Sequence, residues 1–280
     1  LVNTHNYRIE FFPEGCPSYA ILSHRWIDGQ EVNNLEEFLA LRKKTRNKSG
    51  YQKVVDACKQ ARKDGHEYIW IDTCCISNDK DKRSRDIQNM YGFYKGSAVC
   101  YAYLADVELN FHHSCSLDPY HICLSDWFCR GWTLQELIAP EKVHFFGKAW
   151  NFVGSKSTLQ EAISDRTLIP SDILGGEKSL EDVRFSTRMS WALGRVTTKP
   201  VDEAYCLMGI LGVSLEPKED EDVRKAFDRL WERCLESYPP QAGDIVSYAN
   251  DVYERLGHSV QWMTLSNTIL RSTRGRSLLR

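Results

Sequence analysis

Several features are absent from this 280-residue sequence, and each absence excludes a class of protein. No run of apolar residues is long enough to span a bilayer, and the first residues lack the basic-then-apolar pattern of a signal peptide. The formal net charge is only -2, which argues against a charged surface for nucleic acid or an anionic membrane. We therefore expect a cytoplasmic protein whose partners include no nucleic acid and no membrane.

Paired metal-binding cysteines are also missing, because none of the ten cysteines forms a Cys-x-x-Cys motif. Dispersed thiols in a chain of this length, several on apolar faces of predicted elements, indicate buried free cysteines rather than disulfides. Histidines and cysteines do crowd together from His112 to Cys129. A zinc-dependent hydrolase using that cluster is an alternative, but the usual ligand spacing is absent, so we predict no metal site.

Short apolar runs alternate with helical patterns over the first half of the sequence. Residues 19–23, 67–72, 98–104 and 143–146 read as buried strands. Apolar residues at helical spacing lie between them, at 35–41, 54–61 and 87–94, while 78–85 reads as a polar loop. This order predicts an α/β fold, with a mainly parallel sheet and helices on both of its faces.

Polar and aromatic side chains follow the first two predicted strands. Ser23, His24, Arg25 and Trp26 leave the first strand, and Asp72 ends the second. Open α/β sheets bind ligands at the carboxyl ends of their strands, so we expect Ser23 and Asp72 at one sheet edge. Two other interpretations stay open, since a histidine here is often structural and Asp72 is equally suited to capping a loop.

The segment 126–140, DWFCRGWTLQELIAP, concentrates charged and aromatic residues. Asp126 is predicted to cap a helix from Trp127, and Pro140 falls just past its end. Helical spacing turns Leu134 and Leu137 toward a core and Glu136 toward a possible cleft wall. Glu136 is therefore a candidate catalytic residue, with a solvated surface charge as the alternative.

From about residue 179 the pattern is helical. Thr198 is predicted to cap a helix with Asp202 in its first turn, and 223–234 forms an amphipathic helix. We predict a first domain over 1–240, with an α/β core at about 19–150 and a helical part at about 179–240. A final helix and a basic tail would occupy 241–280.

Five blocks of this sequence occur in the order found in one known family. They are YAILSHRW from Tyr19, YIWIDTCCI from Tyr68, MYGFYKGSAVCYAYLADV from Met90, WFCRGWTLQELIAP from Trp127 and RMSWALGRVTTKPVDEAYCLMGI from Arg188. Over roughly 19–235 the chain resembles the fungal heterokaryon-incompatibility (HET) domain. It departs from that family at LEPKEDEDVRKAF, from Leu215, where relatives usually carry a Tyr-Gly-Glu-Gly turn.

The HET family is in turn similar to Toll/interleukin-1 receptor (TIR) domains, which are flavodoxin-like. That likeness places Glu136 in the segment that carries the catalytic glutamate of enzymatic TIR domains. It implies an NAD glycohydrolase (NADase) of programmed cell death or innate immunity, with NAD as substrate and no cofactor. Arg25 or Arg130 would hold the diphosphate, and Trp26 or Trp132 would stack on a ring.

A non-enzymatic role is the main alternative, because TIR-like folds also serve as oligomerisation and recruitment modules. In both cases the resemblance implies self-association and an upstream receptor or sensor protein. The substrate-binding candidates remain those named above: Ser23, His24, Arg25, Trp26, Asp72, Arg130 and Trp132.

Overall fold

A computed structural model describes residues 1–26, 49–77, 79–108, 118–218 and 220–255 of the chain. These ranges contain six strands: β1 (Val2–Asn3), β2 (Tyr19–His24), β3 (Tyr68–Trp70), β4 (Val99–Tyr103), β5 (Val143–Phe146) and β6 (Phe152–Ser155). The helices of the first half are α1 (Ser49–Lys63), α2 (Asp72–Cys75), α3 (Lys80–Lys95), α4 (Pro119–Ile122) and α5 (Thr133–Ile138). They are followed by α6 (Gln160–Thr167), α7 (Ser171–Leu174), α8 (Phe185–Ser190), α9 (Asp202–Tyr205), α10 (Met208–Leu211), α11 (Val223–Ser237) and α12 (Ala242–Arg255). Three 3-10 helices lie at Asp126–Cys129, Leu180–Asp182 and Pro239–Gln241.

The six strands form one mixed sheet in the order β1-β3-β2-β4-β5-β6. The four central strands are parallel, and only the edge strands β1 and β6 are antiparallel to their neighbours. Taken alone, the parallel strands run second, first, third, fourth, as in flavodoxin-like sheets. The predicted α/β fold and its four buried strands are confirmed. Strand β1 escaped prediction because two residues show no usable periodicity, and β6 (FVGS) because it lacks the apolar run of β5 (VHFF).

Successive residues of the central strands pack into two separate cores on opposite faces of the sheet. Ala20 and Leu22 face the core covered by α1, whereas Ile21 faces the core beneath α3 and α5. This alternation is the two-residue period of a strand, and both faces are apolar because both are covered. The prediction of helices on both faces is therefore confirmed.

The helical part shares the larger of these two cores. Helix α11 buries Phe227, Leu230 and Trp231. Helix α12 contacts α8 and α11, and it adds Ile245 and Ala249 to the same cluster. None of the helices in the described ranges is long and apolar enough to cross a membrane. The predicted helix at 35–41 and the basic tail lie outside the described residues.

Two local predictions were wrong. Residues 80–85 begin α3 instead of forming a loop, because the side chain of Asp79 accepts from Lys82 N at 3.0 Å and caps the helix. At the start of the segment 126–140, the helix cap is Ser125 and not Asp126. The Ser125 side chain accepts from Trp127 N at 3.2 Å. The helix predicted from Trp127 is also divided, into a 3-10 turn and α5, with extended backbone at Arg130 between them.

Candidate functional site

The carboxyl ends of β2 and β3 meet at one edge of the sheet, as expected for neighbouring parallel strands. Ser23 is the next-to-last residue of β2, and Asp72 follows β3 as the first residue of α2. The expectation that these two residues share an edge is confirmed. A cavity of about 310 Å³ opens there, between the α/β core and the helical part.

Glu136 forms part of the cavity wall, although only 6% of its surface is exposed. Its position follows from α5, whose Leu134 and Leu137 are fully buried and turn Glu136 toward β2. Ser23 donates its hydroxyl hydrogen to Glu136 Oε2 and accepts from the indole Nε1–H of Trp127 at 2.8 Å. Ser23 and Trp127 are buried behind the wall rather than on it.

Burial raises the pKa of the Glu136 carboxyl to about 8. The nearby negative charge of Asp72 raises that pKa further, whereas the hydroxyls of Ser23 and Tyr94 and the positive charge of Arg130 lower it. A carboxyl on a cavity wall with its pKa near neutrality changes charge easily when a cation binds beside it. Strongly shifted groups of this kind are concentrated in functional sites.

Two tryptophans on the cavity wall are each held by a carboxylate. Trp26 Nε1 donates to Asp72 Oδ2 at 2.7 Å, and Trp132 Nε1 donates to Asp202 Oδ2 at 3.1 Å. A ring fixed through its N–H leaves its face available for stacking on a planar ligand. His24 also lines the cavity, with its Nδ1 3.6 Å from Asp72 Oδ1.

The cavity wall carries more basic than acidic side chains. The acidic residues are Asp72, Glu136 and Asp202, and the basic residues are Lys80, Arg83, Arg130, Lys199 and Lys218. Arg130 Nη2 donates to Thr198 Oγ1 at 2.8 Å, so this guanidinium is already oriented. The wall therefore suits a ligand that combines flat rings with negatively charged groups.

Of the eight predicted site residues, six line the cavity: His24, Trp26, Asp72, Arg130, Trp132 and Glu136. Ser23 lies behind Glu136, as described above. Arg25 is not on the wall, because its guanidinium forms an exposed ion pair with Asp126. Arg25 lies past the end of β2, and its partner Asp126 belongs to the 3-10 turn Asp126–Cys129 and does not line the cavity.

The helical part supplies wall residues that the sequence reasoning missed. Thr198 was predicted to be a helix cap, but α9 begins after Val201 without a side-chain cap, and Thr198 instead accepts from Arg130. Pro217 and Lys218 belong to the stretch that departs from the family pattern. That departure, together with the family block that begins at Arg188 and contains Thr198, was the sequence signal for this side of the cavity.

A short parallel bridge joins the segment bearing Arg130 to the helical part. Gly131 N donates to Val196 O at 2.9 Å, and Val196 N donates to Cys129 O at 2.7 Å. A Cβ at Gly131 would lie 2.6 Å from Thr197 Cγ2 and 3.1 Å from Cys206 Sγ, so glycine permits this close approach. Arg195 strengthens the joint by donating from Nη1 to Arg130 O at 3.0 Å.

The cysteines in the described ranges are all free, as predicted. Those ranges also contain no group of three or more histidine, cysteine or acidic residues able to hold a metal ion. His112, His113 and Cys115 of the cluster considered for zinc lie outside the described residues, so the prediction of no metal site stays a prediction.

Comparison with known proteins adds two findings. The family model described as "Heterokaryon incompatibility protein (HET)" matches residues 19–117. The "Vegetative incompatibility protein HET-E-1" of Podospora anserina is 38% identical over 231 residues, which cover 79% of this chain. The match spans only 16% of that relative's length. No solved structure matches the chain.

Proposed function

Because the chain belongs to the heterokaryon incompatibility (HET) domain family, we propose that it acts in incompatibility or cell-death signalling by cleaving NAD at the nicotinamide–ribose bond. One observation carries this proposal. The cavity wall combines a buried carboxylate, Glu136, with two anchored indole rings and an excess of basic side chains.

The reaction needs only one carboxylate. The bond between the nicotinamide nitrogen and the ribose carbon breaks, and its electron pair stays with the nitrogen, so a cationic pyridinium leaves as a neutral molecule. No acid is required to protonate the leaving group, unlike ordinary glycoside hydrolysis with two carboxyl groups. Water then adds to the ribose cation and releases a proton.

Glu136 is placed to stabilise the positive charge that develops on the ribose. In the free protein its raised pKa leaves much of the carboxyl neutral at pH 7. A bound pyridinium would favour the ionised form, because an opposite charge nearby lowers the pKa of a carboxyl. A charge that is fixed before the reaction and buried from water stabilises such a transition state strongly.

The remaining wall residues match the rest of the dinucleotide. Arg130 and the lysines of the helical part, Lys199 and Lys218, suit the diphosphate, while Trp26 and Trp132 suit the two flat bases. A TIR-like mechanism is part of the proposal, and the flavodoxin-like order of the parallel strands supports it. We further propose that the domain self-associates in response to an upstream sensor.

The experiment is release of nicotinamide from NAD by protein that has been concentrated or clustered, measured by chromatography. Glu136→Gln keeps the size of the side chain but removes the charge, so the rate should fall by at least about 100-fold. The matched control is Glu161→Gln, an exposed position on α6, which should keep the wild-type rate. At pH 5, where the folded-state Glu136 carboxyl is protonated, thermal melting should place both variants within a few degrees of wild type.

Two results would contradict the proposal. Clustered wild-type protein that leaves NAD intact would favour the non-enzymatic oligomerisation and recruitment module instead. Glu136→Gln that retains its rate would remove Glu136 from the mechanism.

A further inference from the structure

Three buried side chains, Ser23 of β2 and Trp127 and Glu136 of the segment 125–136, form one hydrogen-bonded network that ends at Glu136. Trp127 and Ser23 are 104 positions apart, and Ser23 and Glu136 are 113 positions apart. Trp127 is 1% exposed and Ser23 is fully buried, so water does not compete for either bond. The proposed cleavage of NAD needs Glu136 but does not explain why the indole N–H of Trp127 should be directed at Ser23.

The hydrogen-bonding capacities of the three groups determine which group donates and which accepts in each hydrogen bond. An indole N–H can only donate, and a serine hydroxyl has one hydrogen and two lone pairs. Once Ser23 accepts from Trp127, its own hydrogen is directed to Glu136 Oε2. That bond is about twice as strong when the acceptor is a charged carboxylate as when it is a neutral carboxyl group.

We infer that Trp127 is a positioning residue, whose indole N–H orients the Ser23 hydroxyl toward Glu136 and so favours the charged form of that carboxylate on the cavity wall. The assignment of a role to Glu136 rests on the proposed function. The hydrogen-bonded network itself does not, because it can be tested without substrate.

The packing around Trp127 holds the ring in place. It meets Phe128 and Phe145 edge to face, with centroid distances of 5.0 and 5.7 Å. Phe128 thus shares the packing of Trp127 but takes no part in the hydrogen bonds. Substitution of Phe128 is therefore a control that disturbs the aromatic cluster and leaves the hydrogen bonds among Trp127, Ser23 and Glu136 intact.

Several titratable groups besides Ser23 influence Glu136 and must stay unchanged in the test. They come from different elements and are Asp72 on α2, Tyr94 on α3, Cys100 on β4, Arg130, and Arg195 behind it. None of them is substituted in the variants proposed below.

The test is a titration of Glu136 by isotope-edited infrared spectroscopy, with the Glu136→Gln spectrum identifying its carboxyl band. Ser23→Ala should raise the midpoint by about one pH unit, and Trp127→Phe should raise it by roughly half as much. Phe128→Leu should leave it unchanged. The inference is overturned if Trp127→Phe titrates like wild type, or if Phe128→Leu shifts the midpoint as far as Trp127→Phe does.

A second measurement needs no tryptophan variant and covers the case in which Trp127→Phe does not fold. In wild-type protein the indole N–H resonance of Trp127 should move with pH at the midpoint of Glu136, and Ser23→Ala should abolish that movement. A resonance that stays constant while Glu136 titrates would overturn the inference. Absence of NAD cleavage would refute the proposed function and leave both readouts unaffected.

Discussion

The end of β2 and the segment 125–136 touch each other twice, and the two contacts differ in burial. At the inner contact, Ser23 meets Trp127 and Glu136 with almost no exposure to solvent. At the outer contact, Arg25 meets Asp126 with 44% and 62% of their side chains exposed. The same two pieces of chain therefore make one polar contact shielded from water and one immersed in it. Burial, rather than charge, sets how much each contact contributes to stability.

The largest expected effect comes from the inner contact and depends on pH. The folded-state pKa of Glu136 is raised from 4.5 to about 8, so the folded protein binds this proton more tightly than the unfolded chain. The stabilisation is complete below pH 4.5 and is lost as pH rises through about 8. Wild type should lose roughly a few kcal/mol of unfolding free energy relative to Glu136→Gln over this window. Urea denaturation from pH 5 to 8 measures the difference, and parallel curves would refute it.

The next largest loss of stability is expected at Gly131, the glycine that lets the segment 125–136 approach the helical part. Gly131→Ala places a Cβ against Thr197 and Cys206 and should lower the unfolding free energy by about 1–3 kcal/mol. Gly92→Ala on α3 is the control, since a Cβ there meets nothing within 4 Å. It should be neutral or stabilising by up to about 1 kcal/mol. Equal losses at both glycines would show that the close approach is not what matters.

A smaller loss of stability is expected when either anchored tryptophan is replaced, and the loss should differ between the two. Trp132 and Asp202 are both half-buried, so Trp132→Phe leaves a partly desolvated carboxylate without its donor and should cost about 1–2 kcal/mol. Trp26 is 42% exposed, and water can replace its N–H at Asp72, so Trp26→Phe should cost less than about 1 kcal/mol. Chemical denaturation of the two variants ranks them. The reverse order would break the link between burial and contribution.

The smallest effect belongs to the outer contact. A double-mutant cycle of Arg25→Ala and Asp126→Ala should give a coupling energy below about 0.5 kcal/mol that shrinks further in high salt. A coupling above about 2 kcal/mol would mean that the exposed pair behaves like a buried one.

The strands and their shared edge could be predicted because they depend on local patterns. Apolar runs of four to seven residues predicted β2 through β5, and parallel pairing then placed Ser23 and Asp72 together. Helical spacing around Leu134 likewise predicted that Glu136 would face a cleft. These inferences needed only the periods of strands and helices and the rule that open sheets bind ligands at one edge.

The second wall of the cavity could not be predicted because it depends on contacts between distant residues. Trp132 and Asp202 are 70 positions apart, and nothing in either neighbourhood signals the other. Arg25 was predicted to bind the ligand for the same reason, because its sequence position does not reveal its ion-pair partner Asp126. The break of the predicted helix at Arg130 is likewise imposed by pairing with Val196, which overrides local helical preference.

The bridge between Arg130 and Val196 also determines which backbone amides report on opening of the cavity. The amide hydrogens of Gly131 and Val196 are held only by each other's segments, and no helix protects them. They can exchange with deuterated water when this bridge opens. Their exchange rates therefore report on the contact between the helical part and the α/β core, while amides within the central strands report on unfolding of the sheet.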